Sequence, residues 1–342
     1  MPTLEDVAEK AQVSVSTASR ILTRDRNGRF SDETRERVLN AAREIGYRPN
    51  LAARSLISGQ SNIIGFVSPR VVDTPFTALR VLQILTHIEI ACSERGYHLL
   101  LSSPRYVNGA LDEHYMQLLS SGYLDGLIIH DENVNFSLLE PALEFGIPAV
   151  VIGNREHPYF VNGDDYLGGA LQAEHLLQLG HRHIGVIGLP DNSHYAARLR
   201  LRGVMDVASR MGVSTETFYR RDGDFTSESG LAAAHYLLTH HPEITALLVN
   251  NDRMAIGALQ AARQMGLRVP QDISIIGFDN LPQSADTTPP LTTIDQSVEL
   301  WGEAAVAMLL RVRQGEQPVS RMMDTRLVIR ETTSAPRTGG LR

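Results

Sequence analysis

The stretch VSVSTASRIL, Val13–Leu22, crowds four small hydroxyl residues and one arginine onto a segment whose apolar residues repeat at helical spacing. Serine and threonine are mediocre helix formers, so an ordinary core helix gains little from them. Ala18, Ile21 and Leu22 read as the buried side, which leaves Ser16, Thr17 and Arg20 outward. Small polar side chains followed by an arginine suit a helix that presses closely against something polar and negatively charged.

The flanks extend this pattern. Thr3-Leu4-Glu5-Asp6 reads as a capping box, and Leu4, Val7, Ala8 and Ala11 then follow the spacing of one buried helix face. AQVS breaks that pattern, and a second short helix restarts at Ser14 or Val15. Ser31 caps a third, with Asp32 and Glu33 in its first turn, Val38, Leu39, Ala42 and Ile45 on its inner face, and Gly46 as its stop. Three short helices with a tight turn between the first two make a helix-turn-helix layout. On pattern alone, a small helical cap whose serines merely face water is the alternative.

Composition sets wider bounds. A chain of 342 residues, 43% apolar and 21% charged, has the make-up of a globular protein of two or three domains. It contains no apolar run of about 18 residues, so no membrane span and no membrane partner are expected. MPTLEDVAEK does not read as a secretory signal, and a single cysteine, Cys92, fits a reducing compartment. The expected location is the cytoplasm. The net charge of -7 is unevenly spread: residues 1–60 hold ten Lys/Arg against eight Asp/Glu, and the other 282 hold 22 against 31.

TLEDVAEKAQVSVSTASRIL followed by SDETRERVLNAAREIGYRPNLAARSL resembles the head of the lactose repressor/galactose repressor family of bacterial transcription factors, from Thr3 to Leu56. The resemblance implies that Val13–Leu22 holds a recognition helix for the major groove. Val15 and Ser16 stand where the family varies residues to choose its operator, Thr17 lies beside them, and Arg20 reaches a guanine edge or a phosphate. In YRPNLAARSLISGQ, Pro49 ends the preceding structure and Asn50 can cap a helix too short to stand alone. The family folds this segment on the operator and wedges a leucine into the minor groove. The matching leucine is Leu56, and Arg54 precedes it in a stretch without acids. Two such hinges imply a homodimer on an inverted repeat of double-stranded operator DNA.

From Asn62 onward, short apolar runs alternate with amphipathic stretches. NIIGFV, YHLLLS, DGLIIH, PAVVIG, HIGVIG, TALLVN and SIIGF read as strands, with helices such as Leu79–Arg95 and Glu228–Thr239 between them. This rhythm predicts an α/β body of parallel sheets flanked by helices. REHPYFVNGDDYLGG interrupts it and favours two lobes with a cleft. Ile63–Glu331 resembles the family's effector domain, itself similar to periplasmic sugar-binding proteins. The expected division is a head at 1–48, a hinge helix and linker at 49–61, a two-lobed effector-binding and dimerisation domain at 62–333, and a tail at 334–342. Lobe 1 would hold about 62–162 and 292–320, and lobe 2 about 163–291 and 321–333. Crossings between lobes are expected near Gly163, Pro289–Thr293 and Val319–Met322. The tail lacks the leucine heptad of the family's tetramers, again favouring a dimer.

No enzyme signature survives inspection: GVIGLP and GFVSP lack the full dinucleotide fingerprint, and no phosphate-binding Gly-x-x-x-x-Gly-Lys loop occurs. The chain is expected to be neither an enzyme nor a cofactor or metal binder. His181 and His183 read as a helix end passing into a strand, His240-His241 as cations at a helix end, and Cys92 and Trp301 as packing residues. Two polar spots look costly unless used: Asp279-Asn280 at the carboxyl end of the SIIGF strand, and Arg198, Arg200 and Arg202 on one helix. The resemblance singles out Arg200 as an effector clamp and Asp279 as the acid that accepts ligand hydroxyls or amines. Phe76, Asp164 and Phe225 match further pocket positions, although VVDTPFTALRVL departs from the family's usual wording. Asn251-Asp252 reads as an N-cap at least as readily as a ligand contact. Sugar, sugar acid, nucleoside and purine all suit an Arg–Asp cleft. A repressor whose operator affinity is set by a small polar effector, most simply a sugar or sugar derivative, leads over a solute-binding protein with a chance helical head.

Overall fold

The structure is a computed structural model that describes residues 2–22, 30–48, 60–69, 79–107, 110–130, 138–153, 157–190 and 194–337. The chain divides into two compact units, residues 1–62 and 63–342.

The first unit holds α1 (Leu4–Lys10), α2 (Val15–Leu22) and α3 (Asp32–Glu44). Thr3 and Asp6 form the reciprocal capping box, and Ser31 caps α3 by accepting from the Thr34 amide. Val7, Ala8, Ala11, Ala18, Ile21, Val38, Ala41 and Ala42 make one small core. Leu39, expected in that core, is 40% exposed. The inner stripe of α3 runs 38, 41, 42, 45, and Leu39 lies one residue, about 100° of helical rotation, away from it. Between α1 and α2 the chain turns at Gln12, whose φ of 55° is left-handed. Arg37 Nε donates to the Ala11 carbonyl at 3.3 Å and pins that turn to α3.

The second unit contains two all-parallel sheets. The larger comprises β1 (Ile63–Val67), β2 (His98–Ser102), β5 (Gly126–His130), β6 (Ala149–Ile152), β7 (Phe160–Gly163) and β13 (Arg321–Met323), in the order β13-β7-β6-β5-β1-β2. The smaller comprises β8 (Ile184–Gly188), β9 (Phe218–Asp222), β10 (Ala246–Val249) and β11 (Ser274–Ile276), in the order β11-β10-β8-β9. All seven apolar runs named above are strands. Six of them are buried on both faces because helices cover both sides, whereas β2, at the sheet edge, is half-exposed. Thus Phe66, Ile128 and Val150 enter one core under α4 (Leu79–Glu94) and α12 (Trp301–Arg313), while Val67, Ile129 and Val151 enter another on the opposite face. The smaller sheet alternates likewise, with Leu247 and Val249 on one side and Ala246 and Leu248 on the other.

Short elements complete the unit: the pair β3 (Tyr106–Val107) and β4 (Ala110–Leu111), α5 (Glu113–Ser120), α6 (Leu139–Glu144), α7 (Asp165–Gln178), α8 (Tyr195–Arg210), α9 (Ser227–His240), α10 (Asp252–Gln264) and α11 (Pro282–Asp286). The antiparallel pair β12 (Thr293–Asp295) and β14 (Arg326–Val328) lies where the chain passes between the sheets. Arg321–Met323, assigned above to the second lobe, instead extends the larger sheet beside β7, so the third crossing follows Met323. It is an edge strand of which only Met323 is buried, and its sequence carries no apolar run to mark it. Among the described residues, no helix is long and apolar enough to cross a membrane.

Candidate functional sites

On α2, Ser14 is the cap: the Thr17 amide donates to its Oγ at 3.2 Å, and that oxygen lies 2.9 Å from both Ser16 Oγ and Thr17 Oγ1. Ala18 and Ile21 face inward, Val15 and Ser16 face solvent with Val15 42% exposed, and Thr17 is half-buried. Arg20 is exposed, its guanidinium 5.5 Å from the Phe30 ring centre. The helix therefore presents an apolar tip, hydroxyls that donate or accept, and one cation, with its amide ends at the same terminus. Asn50, Arg54 and Leu56 lie outside the described residues, as does Phe76.

In the second unit, three arginines two residues apart on α8 part ways. Arg198 and Arg202 are exposed, whereas Arg200 is 5% exposed. Arg200 Nε donates to Asp165 Oδ1 at 3.0 Å, and Nη1 donates to the Asn250 carbonyl at 2.6 Å and to its Oδ1 at 3.2 Å. Its guanidinium carbon lies 3.5 Å from the centre of the Phe278 ring, a cation–π contact inside the protein. Gly169 and Gly203 allow this arrangement: a Cβ on either would run into the backbone of the facing helix, so α7 and α8 pack close enough for Arg200 to reach Asp165.

Asp279, 7% exposed, follows β11 with a φ of 110°, a conformation an L residue rarely holds. Arg200 Nη2 lies 3.8 Å from its Oδ1, and Arg80 Nη1, from the first turn of α4, donates to the same oxygen at 2.8 Å. The Arg80 guanidinium also lies over Trp301 at 5.1 Å, and Trp301 Nε1 donates to the Gln296 carbonyl. Gln296 Nε2 in turn donates to Asp165 Oδ1 at 3.2 Å. One connected polar cluster thus joins the end of the smaller sheet to α4 and α12 on the larger.

Of the residues expected here, Arg200 and Asp279 come together. Asp164 does not join them: its carboxylate caps α7 by accepting from the Leu167 amide, and the next residue, Asp165, turns inward. Phe225 holds a φ of 70°, stacks edge-on against His194 at 4.7 Å, and accepts at its carbonyl from Asn251. Asn251 caps α10 by accepting from the Met254 amide. Asp252 is buried, accepting from Thr293 Oγ1 at 2.6 Å and the Leu281 amide at 2.8 Å. Burial, and then the charge of Asp279, push its carboxyl up to about 8.

Sequence reasoning missed Arg80, Asp165, Asn250 and Gln296. Asn250 alone left a signal, ending an apolar strand beside Asn251-Asp252. It also missed Ser68 and His130, both buried at the carboxyl ends of β1 and β5, with Ser68 Oγ 3.2 Å from His130 Nδ1. His181 is a structural knot: its ring nitrogens meet Thr245 Oγ1, Ser274 Oγ and the Ser334 carbonyl. Burial holds it down to about 4. The Cys92 thiol is pushed up to about 11, again by burial.

A first unit whose described residues form three helices, one of them with a solvent-facing hydroxyl-and-arginine face, and a second unit of parallel sheets bridged by a buried charge cluster define a DNA-binding regulator with a sensory body. Comparison with known proteins agrees. Residues 3–50 match the family described as bacterial regulatory proteins, lacI family, and residues 173–333 match the periplasmic binding protein-like domain. The HTH-type transcriptional repressor CytR of Escherichia coli K12 is 34% identical over 344 residues, covering 97% of this chain and 96% of that protein. A crystal structure of the Lac repressor dimer bound to operator and the anti-inducer ONPF superposes with a TM-score of 0.80 at 31% identity, covering 98% of this chain and 99% of that one. The complex of the transcriptional regulator CelR with cellobiose gives 0.71 at 28% identity, covering 97% and 100%. The chain belongs to the lacI family of bacterial regulatory proteins, and is a DNA-binding transcriptional regulator.

Proposed function

We propose that the protein is a non-catalytic repressor of the bacterial cytoplasm, nucleoid-associated while bound, that acts as a homodimer on an inverted-repeat operator. A small polar effector, a sugar or sugar derivative held between the two sheets, sets its operator affinity. The observation that carries this reading is the buried cluster of Arg200, Asp165, Asn250 and Asp279, joined to Arg80 of the other sheet's layer. Such a cluster satisfies a hydroxyl-rich guest and couples its binding to the angle between sheets. The CelR complex with cellobiose and the operator-bound Lac repressor dimer are what this chain is similar to.

On the DNA side, Val15, Ser16, Thr17 and Arg20 read the major groove, and Asn50, Arg54 and Leu56 form the hinge that enters the minor groove. Asp164 and Phe225 border the effector site, and Phe76 supplies an aromatic to it. The test is fluorescence anisotropy with duplexes selected from a random pool. The selected sites should be inverted repeats, bound as a dimer, with affinity falling steeply as salt rises. Equal affinity for the selected and scrambled duplexes at physiological salt would defeat the reading.

A further inference from the structure

Asp165, Gly168 and Gln172 share one buried stripe of α7, at helical spacing. Asp165 meets Arg200, and a Cβ at Gly168 would strike the Phe278 ring against which the Arg200 guanidinium rests. Gln172, 0% exposed, donates through Nε2 to two backbone carbonyls, Val249 at 3.1 Å and Gly277 at 2.7 Å. Both hydrogens of one side-chain amide are thus committed to two different strands.

Those carbonyls mark where the smaller sheet opens. The β10–β11 ladder pairs Ala246 with Ser274, Leu247 with Ile275 and Leu248 with Ile276. Val249 and Gly277 come next, and each leads directly into a partner of Arg200: Asn250, whose carbonyl accepts from it, and Phe278. Parallel strands that part at their carboxyl ends form the crevice in which open α/β sheets hold ligands. Two contacts tie the parting ends here, the Gln172 amide and, farther out, the Asp252 amide donating to the Phe278 carbonyl at 2.7 Å. Turning the Gln172 amide over would aim one acceptor at two others, so its partners fix its orientation. Its Oε1 is buried and, among the described residues, without a hydrogen-bond partner. Gln172 borders, with Arg200 and Asn250, a cavity of about 20 Å³, room for one water-sized donor. An apolar side chain of the same length would bury no unpaired acceptor, so what glutamine adds at this position is its two donated bonds.

We infer that Gln172 is a positioning residue of the effector site: by holding Val249 to Gly277 it sets the spacing at which Asn250 and Phe278 receive Arg200. This rests on the effector reading and adds to it a residue that acts through the backbone of two strands.

The test uses the full-length chain and five probes: D-ribose, cellobiose, D-glucuronate, adenosine and adenine. Affinity is measured by calorimetry well below the melting temperature, where lost stability alone leaves it unmoved. Gln172→Met keeps the length and removes both donors, and should weaken whichever probe the parent binds by about 10-fold. Gln172→Glu supplies the conservative variant. Ionised, it aims a charged oxygen at two carbonyls; protonated, it donates one hydrogen bond and restores part of the bridge. Its affinity, relative to the parent at the same pH, should fall as pH rises from about 5 to 9 and recover as pH is lowered. A packing role alone gives no such profile, and the profile decides the matter even where Gln172→Met fails to fold. In Gln172→Met, amide hydrogen exchange should also quicken at residues 249–252 and 277–281 but not at 184–187 in β8. Parent-like affinity in Gln172→Met, a Gln172→Glu deficit that ignores pH, or unchanged exchange at the two strand ends overturns the inference and leaves the effector reading standing. Silence from every probe in the parent, with operator affinity unmoved, overturns the effector reading and this inference with it.

Discussion

In the head, Val15, Ser16 and Arg20 stand in solvent on a single eight-residue helix, whereas in the body Arg200 and Asp279 are buried and their ion pairs join segments far apart in the chain. The head's site is a surface that a small core merely holds up. The body's site is part of the core, so recognition and stability share the same side chains. Substitutions should therefore separate binding from folding in the head and confound them in the body.

The largest expected effect is at Arg200. Arg200→Ala leaves Asp165 buried without its cation and should cost about 3–5 kcal/mol of body stability, together with the effector response. Urea unfolding of the full chain measures it. An unchanged midpoint would dissolve the contrast, since the cluster would then be no part of the core.

Acid and alkali should also act on the body. His181 has a folded value of about 4 against an ordinary 6.5, so the unfolded chain binds the extra proton between those values. Stability should fall as pH drops from about 6.5 to 4, by roughly 3 kcal/mol at most, and be unaffected above. Asp252 works in the opposite sense. Its folded value of about 8 lies above the ordinary 3.8, so stability should decline as pH rises from about 4 to 8. Thermal melts of the parent, His181→Gln and Asp252→Asn across pH 4 to 9 should each lose one limb. Identical profiles for all three would place the pH dependence elsewhere.

In the head, Arg20→Ala should leave the melting temperature nearly unchanged while removing about 1–3 kcal/mol of operator discrimination if Arg20 contacts a base. A uniform loss over all duplexes would mark a phosphate contact instead. The smallest effect is at Gln12, left-handed at φ 55° in the turn before α2. Gln12→Gly removes the Cβ conflict and should stabilise the head by up to about 1 kcal/mol, visible as a modest rise in its melting.

The difference between the regions also explains what was legible. In the head the relevant signals are local: the Thr3–Asp6 box, the Ser31 cap and the helical period put nearly every side chain on its proper face. Leu39 is the exception: it lies one residue beside the inner stripe of Val38, Ala41 and Ala42 and so faces solvent. In the body the seven apolar strands announced themselves, but β7, β9, β12, β13 and β14 are short or half-exposed and carry no comparable run.

Sequence alone determined that this chain has a capped three-helix head with an outward hydroxyl-and-arginine face, and an α/β body of buried parallel strands. Those properties follow from interactions between residues three or four apart, or from burial on both faces of one strand. Only tertiary structure decided that Asp165 rather than Asp164 meets Arg200, and that Arg80 closes on Asp279. A residue's neighbours tell which way its side chain leaves the backbone. Which charge waits for it on another segment depends on how the chain crosses between two sheets, and no local pattern records that.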